Sequence, residues 1–366
     1  MTLRRMTLRR MTRHRMTRHR GWTGPTGFRR VAALTAVGAV LLTVAACGGD
    51  EPDSAGTAGG GESGAAAGEV SVGLITKTET NPFFVTMREA ATAAAQEQGV
   101  ELTALAGKFD GDNEGQVAAI ENLIAQGVDG IMITPSNSSG ILGAIEQARQ
   151  QEIIVIALDT ATDPADAVDA TFATDNTEAG RLQGAYVRAA LGDVEPKLIM
   201  LDGTAGGTVD TFRHDGFLEG FGIEEGDPAI IGQENTNGDQ NTAQTAMENL
   251  LQRSTDVNAV YTINEPAARG GYAAIEARGI TDAVTVGSID GGCQGVQDVK
   301  DGKYAATVMQ FPRKMVEDGM AAIVAAAKGG EAPSGFTDTG ATLITDTPLE
   351  GLESQDTTWG LENCWG

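Results

Sequence analysis

The sequence predicts an α/β protein built as two doubly wound parallel-sheet lobes, each with helices on both faces. Three observations carry this. Short β-branched runs alternate with helix-period segments from Val70 to Lys328, the order that yields parallel sheets. The number of such units exceeds what one sheet comfortably holds. The second half also echoes the first: residues 128–135 (VDGIMITP) resemble 257–264 (VNAVYTIN), and 156–159 (IALD) resemble 287–290 (GSID).

The elements follow in order. A strand over 70–75 leads into a helix over 82–98, with Phe84, Met87, Ala91 and Ala94 on one face. Asn81 supplies its N-cap and Pro82 its first-turn proline. A strand at 101–105 precedes a helix over 114–126 with Val117, Ile120 and Ile124 inward, closed by Gly127. Strand 130–134, helix 140–150, strand 153–158 and strand 170–173 complete the first half. The second half runs helix 177–191, strand 197–201, helix 208–221, strand 230–233, helix 242–252 and strand 259–263. Helix 267–277, strand 284–289, helix 295–300, strand 305–309 and helix 314–328 close the series.

The N-terminal 46 residues read as an export signal. Residues 1–30 carry ten arginines and no acid, and residues 31–46 (VAALTAVGAVLLTVAA) are apolar. Val44 to Cys47 (VAAC) resembles a lipoprotein processing site, so Cys47 is expected to carry lipid. An uncleaved anchor is the alternative, but the apolar run falls short of the ~20 residues that span a bilayer. Residues 47–69, nearly all Gly, Ala, Ser, Glu and Asp, cannot bury enough apolar surface to order themselves and read as a flexible tether. The expected location is the outer face of the cell membrane.

Without the ten signal arginines, 16 basic residues face 50 acidic ones, a net charge near −34. Such a surface repels phosphate backbones, which disfavours nucleic-acid partners. His214 is the only histidine after the signal, which leaves little for His-based metal sites or catalysis. No metal or cofactor is expected. Cys293 and Cys364 are expected to pair in an exported protein, with two buried free thiols as the alternative.

Lys77, Asn81, Asp159, Asn264, Asp290 and Gln310 stand just past predicted strands, and Arg213 lies in the helix after Leu201. Ligands in open α/β sheets bind outside the strands' carboxyl ends. Carboxylates, amides and single cations suit a neutral polyol, whose hydroxyls each donate once and accept twice. Phe83 and Phe84 offer apolar faces to the C–H side of a ring. Each residue also has a plainer reading: Asp159, Asp290 and Asn81 as helix caps, Phe84 as core, Arg213 and Lys77 as surface charges. Their common position at one sheet edge favours the binding reading.

From Val70 onward the chain resembles the type I periplasmic sugar-binding proteins, the ribose- and fructose-binding family of ABC importers. The matching stretches include 80–85 (TNPFFV), 127–135 (GVDGIMITP), 155–159 (VIALD), 173–176 (ATDN), 213–217 (RHDGF), 261–264 (YTIN), 289–291 (IDG) and 305–310 (AATVMQ). The resemblance implies a three-segment hinge near Asp175, Gln310 and Thr342. Lobe 1 would be 70–174 plus 311–341, and lobe 2 would be 175–310 plus 342–366. The tail's return to lobe 2 would let Cys293 and Cys364 meet. The sugar-holding positions carried over are Asn81, Phe83, Phe84, Asp159, Arg213, Asn264, Asp290 and Gln310. Closure of a monomer on one monosaccharide, then presentation to permease subunits, is the implied mechanism.

Two positions depart from the ribose pattern: Thr160 replaces an arginine, and Lys77 replaces a serine-like residue. An expected aromatic lid falls near Gly238. Residues 76–78 (TKT), 263–267 (INEPA), 290–293 (DGGC) and 364–366 (CWG) look closer to the fructose-binding branch, so fructose is the expected cargo. Ribose, another pentose or hexose, and a sensory receptor are the alternatives. An enzyme lacks support: no nucleophile elbow is present, and the glycines of residues 202–207 (DGTAGG) lack phosphate-loop spacing and read as a tight turn. Sugar-responsive repressors would need a DNA-reading helix pair where the signal and tether stand.

Overall fold

The computed structural model describes residues 69–366; the signal segment, Cys47 and the tether lie outside the described residues. The first sheet contains β1 (Ser71–Thr76), β2 (Glu101–Ala106), β3 (Gly130–Ile133), β4 (Ile154–Leu158), β5 (Ala170–Ala173) and β11 (Gly335–Asp338). Its order is β11-β5-β4-β3-β1-β2, and every neighbouring pair is parallel. The second contains β6 (Leu198–Asp202), β7 (Ile230–Asn235), β8 (Ala259–Thr262), β9 (Thr285–Asp290), β10 (Ala306–Met309) and β12 (Thr342–Ile344), in the order β12-β10-β9-β8-β6-β7.

The chain passes between sheets three times: after β5, after β10 and after β11. β12 pairs antiparallel with β10, so the second sheet is mixed. A returning tail reaches a sheet edge without a crossover helix, and antiparallel pairing needs none.

The packing follows from composition. β3 and β4 sit inside the first sheet as short apolar runs and are almost wholly buried. Helix α1 (Pro82–Gln98) begins at its Asn81 cap and ends on left-handed Gly99. Helix α2 (Asn113–Gln126) turns a different face inward than its apolar spacing suggests: Gln116, Ala119, Ile120 and Leu123 are buried, while Val117 and Ile124 are only partly so. Gln116 explains the rotation, since its amide donates to the Thr76 and Thr134 carbonyls at 3.2 and 2.8 Å, pinning the helix to two strand ends.

In the second lobe, α4 (Asn176–Ala190) and α5 (Thr208–Phe221) pack backbone to backbone. A Cβ at Gly180 would lie 2.2 Å from the Arg213 carbonyl oxygen, and one at Gly184 2.1 Å from that of Phe217. Gly216 and Gly220 answer from α5, at 2.1 Å from Thr177 O and 2.0 Å from Arg181 O. This approach, open only to glycine, sets the height of Arg213 above the sheet.

Candidate binding cleft

The strand ends bring the polar residues together. β9 and β10 are parallel neighbours, and the Gln310 amide donates to the Asp290 carbonyl at 3.0 Å, so the two side chains emerge side by side. Gln310 Nε2 donates to Asp290 Oδ1 at 2.8 Å. Arg213 stands between the lobes' acids, with Nη2 3.9 Å from Asp159 Oδ1 and Nη1 3.9 Å from Asp290 Oδ1. The guanidinium is fixed by Nε donating to Asn176 Oδ1 at 2.7 Å and Nη1 to the Ile263 carbonyl at 2.9 Å.

Neither Asp159 nor Asp290 caps the helix that follows it, though Asp290 Oδ2 accepts from Glu265 N at 3.4 Å, at the start of the helix Glu265–Arg278. Asp159 accepts from Thr160 Oγ1 at 2.8 Å and has φ 61; Asp290 has φ 148. Helix α8 (Cys293–Lys300) starts at Gly292 with no side-chain cap. Positive φ at two non-glycine residues costs energy, and such residues gather at ligand sites. Burial pushes the Asp290 carboxyl up to about 6, opposed by Arg213 and Gln310. Beside it, buried Glu265 accepts from Gly291 N at 2.9 Å and Thr307 Oγ1 at 3.0 Å. Burial raises Glu265 above the carboxylate range, which spares the site a further negative charge.

The other expected residues also face this cleft. It is lined by Lys77, Asn81, Phe83, Phe84, Asp159, Arg213, Asn264, Asp290 and Gln310. Phe83 and Phe84 pack edge to face, centroids 5.5 Å apart, and both also belong to the lobe 1 core. Asn81 is a cap as well as a lining residue, its Oδ1 accepting from Phe83 N at 3.0 Å. Asn264 is engaged at both ends: Oδ1 accepts from Ala267 N at 2.9 Å and Nδ2 donates to Gly238 O at 3.2 Å. Lys77 is buried, with Nζ 3.8 Å from Asp110 Oδ2. Arg213 Nη2 and Gln310 Oε1 are shielded from solvent and have no hydrogen-bond partner among the described residues.

Several lining residues escaped the sequence reading. Asp110, Thr204 and Asp210 also line the cleft. Residues 202–207 form more than a tight turn, since the Gly206 carbonyl accepts from Ser138 N at 3.0 Å across the lobes. Thr208 N donates to Ser138 Oγ at 3.0 Å and Thr208 Oγ1 to the Ala161 carbonyl at 2.7 Å, closing the same side. Trp365 lies behind the site, its indole N–H donating to the Gln310 and Asp290 carbonyls at 2.9 and 3.2 Å. Cys293 and Cys364 are joined by a disulfide that fixes this tail.

Two lobes of mostly parallel sheet linked by three crossings, with acids from both walls around one guanidinium, define a two-lobed solute-binding protein. Residues 72–331 match the periplasmic binding protein domain model, and the chain belongs to that family, in its type I sugar-binding class. It is 31% identical over 244 residues to the ribose import binding protein RbsB of Bacillus subtilis, covering 67% of this chain and 77% of that protein. A Mycobacterium smegmatis ABC transporter solute binding protein with bound glycerol superposes with TM-score 0.69 at 29% identity, covering 75% of this chain and 94% of the other. An Actinobacillus succinogenes counterpart with bound D-allose gives TM-score 0.69 at 26% identity, covering 76% and 98%.

Proposed function

We propose that this protein captures one neutral monosaccharide, fructose by preference, between its lobes and delivers it to an ABC importer while tethered to the membrane through lipidated Cys47. The observation that carries the reading is Arg213 Nη2 and Gln310 Oε1, a shielded donor and acceptor without a hydrogen-bond partner among the described residues, in side chains that line the cleft beside Asp159 and Asp290. Hydroxyls meet both kinds of group, and the surplus of carboxylates disfavours phosphorylated or acidic sugars. Hydrogen bonds to charged groups contribute ~1.5–3 kcal/mol each, so a handful supports micromolar affinity after ordering costs.

The relatives' names point to ribose, and a structural neighbour's to D-allose. Thr160 and Gly238 depart from the ribose pattern, and the fructose-branch segments favour the ketohexose. Titration calorimetry with fructose, ribose, allose and galactose tests the cargo; tightest binding to ribose, with no response to fructose, contradicts it. Cys47→Ser tests the anchor: the variant should no longer partition with membranes, and unchanged membrane retention excludes lipid at Cys47.

A further inference from the structure

The cleft has two polar poles. One is the Asp159–Arg213–Asp290–Gln310 group. The other is built from Lys77 and Asp110 of lobe 1 facing Thr204 and Asp210 of lobe 2. Asp110 lies in the loop after β2, its side chain only 17% exposed, with Oδ1 shielded and unpartnered among the described residues. Thr204 Oγ1 across the cleft is unpartnered in the same way. Asp210 Oδ1, by contrast, is occupied by the Gly203 amide at 2.6 Å. Burial raises the Asp110 carboxyl, opposed first by Lys77 and then by the neighbouring Thr204 hydroxyl, so both groups favour its charged, accepting form. A ligand satisfying only the first group would leave Asp110 with Lys77 and Thr204 as its polar neighbours and Oδ1 without a full hydrogen bond.

We infer that Asp110 is a specificity-determining residue that accepts a hydrogen bond from a hydroxyl present at the far end of a hexose and missing from a pentose seated at the Arg213 pole. Lys77 positions it. The inference rests on the monosaccharide reading and deepens it. Sites built to bond a particular hydroxyl discriminate strongly against analogues lacking it.

The test is titration calorimetry of the mature protein, Asp110→Asn and Asp110→Ala with fructose, its 1-deoxy and 6-deoxy analogues, allose and ribose. Unchanged far-UV circular dichroism and melting of the ligand-free Asn variant establish folding. Wild type should bind its best hexose at least tenfold tighter than ribose, and one deoxyfructose at least tenfold weaker than fructose. Asp110→Ala should lose those differences while keeping ribose affinity within about threefold, and Asp110→Asn, whose amide oxygen still accepts but carries no charge, should lose part of them. Equal losses for every sugar, or an undiminished hexose preference, overturn the role of Asp110. Should wild type prefer allose over fructose while Asp110→Ala loses that preference, the cargo assignment falls and the role of Asp110 stands. Should wild type show no preference for hexose over ribose, the inference itself falls.

Discussion

The Trp365 ring meets Phe83 edge to face, centroids 5.4 Å apart and planes at 78°. A residue of the second lobe's tail is thereby packed into the first lobe's aromatic core. Its N–H simultaneously holds the carbonyls of Gln310 and Asp290. Trp365→Ala removes an aromatic contact of ~0.5–1.5 kcal/mol and unpairs a buried strand-end carbonyl. Sugar affinity should fall about tenfold, and Trp365→Phe, which keeps the ring, should lose less. Tryptophan emission should shift on sugar addition in Trp359→Phe but not in Trp365→Phe, measured by fluorescence titration.

The Cys293–Cys364 bridge spans 71 residues and ties that tail beside Asp290. A closed loop of this size stabilises by about 4 kcal/mol in the chain-entropy account. Replacing both cysteines with serine should lower the unfolding free energy by roughly 2–5 kcal/mol in urea melts. Sugar affinity should weaken as well, because the tail bearing Trp365 gains freedom.

Arg213→Ala should abolish sugar binding and also destabilise the ligand-free protein. The guanidinium bridges Asn176 and the Ile263 carbonyl, and its loss leaves two buried acids facing each other. Breaking a buried ion pair costs about 3–5 kcal/mol. Gln310→Ala should weaken binding with a smaller fall in melting temperature. Thermal shift with and without sugar separates the two effects.

His214 gives a pH signature. Its hydrogen bond to Asp202 at 2.8 Å, aided by Glu225 at 2.9 Å and opposed by partial burial, raises it from 6.5 to about 9. A folded-state value above the unfolded one contributes stability that is full below 6.5 and is lost as pH rises through 9. With Glu225 64% exposed, solvent screening holds the effect to roughly 1–2 kcal/mol. Melting temperature should decline between about pH 6.5 and pH 9, and His214→Gln should flatten that decline.

The cleft's first pole was legible because Asp159, Asp290 and Gln310 directly follow apolar, β-branched runs, and strand ends are where such sheets bind. Asp110 was not, since it sits in a polar loop past β2 with no strand-end signature. The α4–α5 contact was also hidden. Gly180 and Gly184 are visible at helical spacing, but their meeting with Gly216 and Gly220 depends on tertiary packing. The exposed β11, the three-residue β12 and α10 (Thr357–Asn363) carry too little apolar period to declare themselves.

The central claim is that both walls of the cleft grip one uncharged sugar. A crystal structure grown with fructose tests it directly. Asp159 from one lobe, with Arg213 and Asp290 from the other, should each lie within about 2.6–3.2 Å of hydroxyls of the same molecule. A sugar held by one lobe alone, or seated outside the space these three residues enclose, would contradict the account.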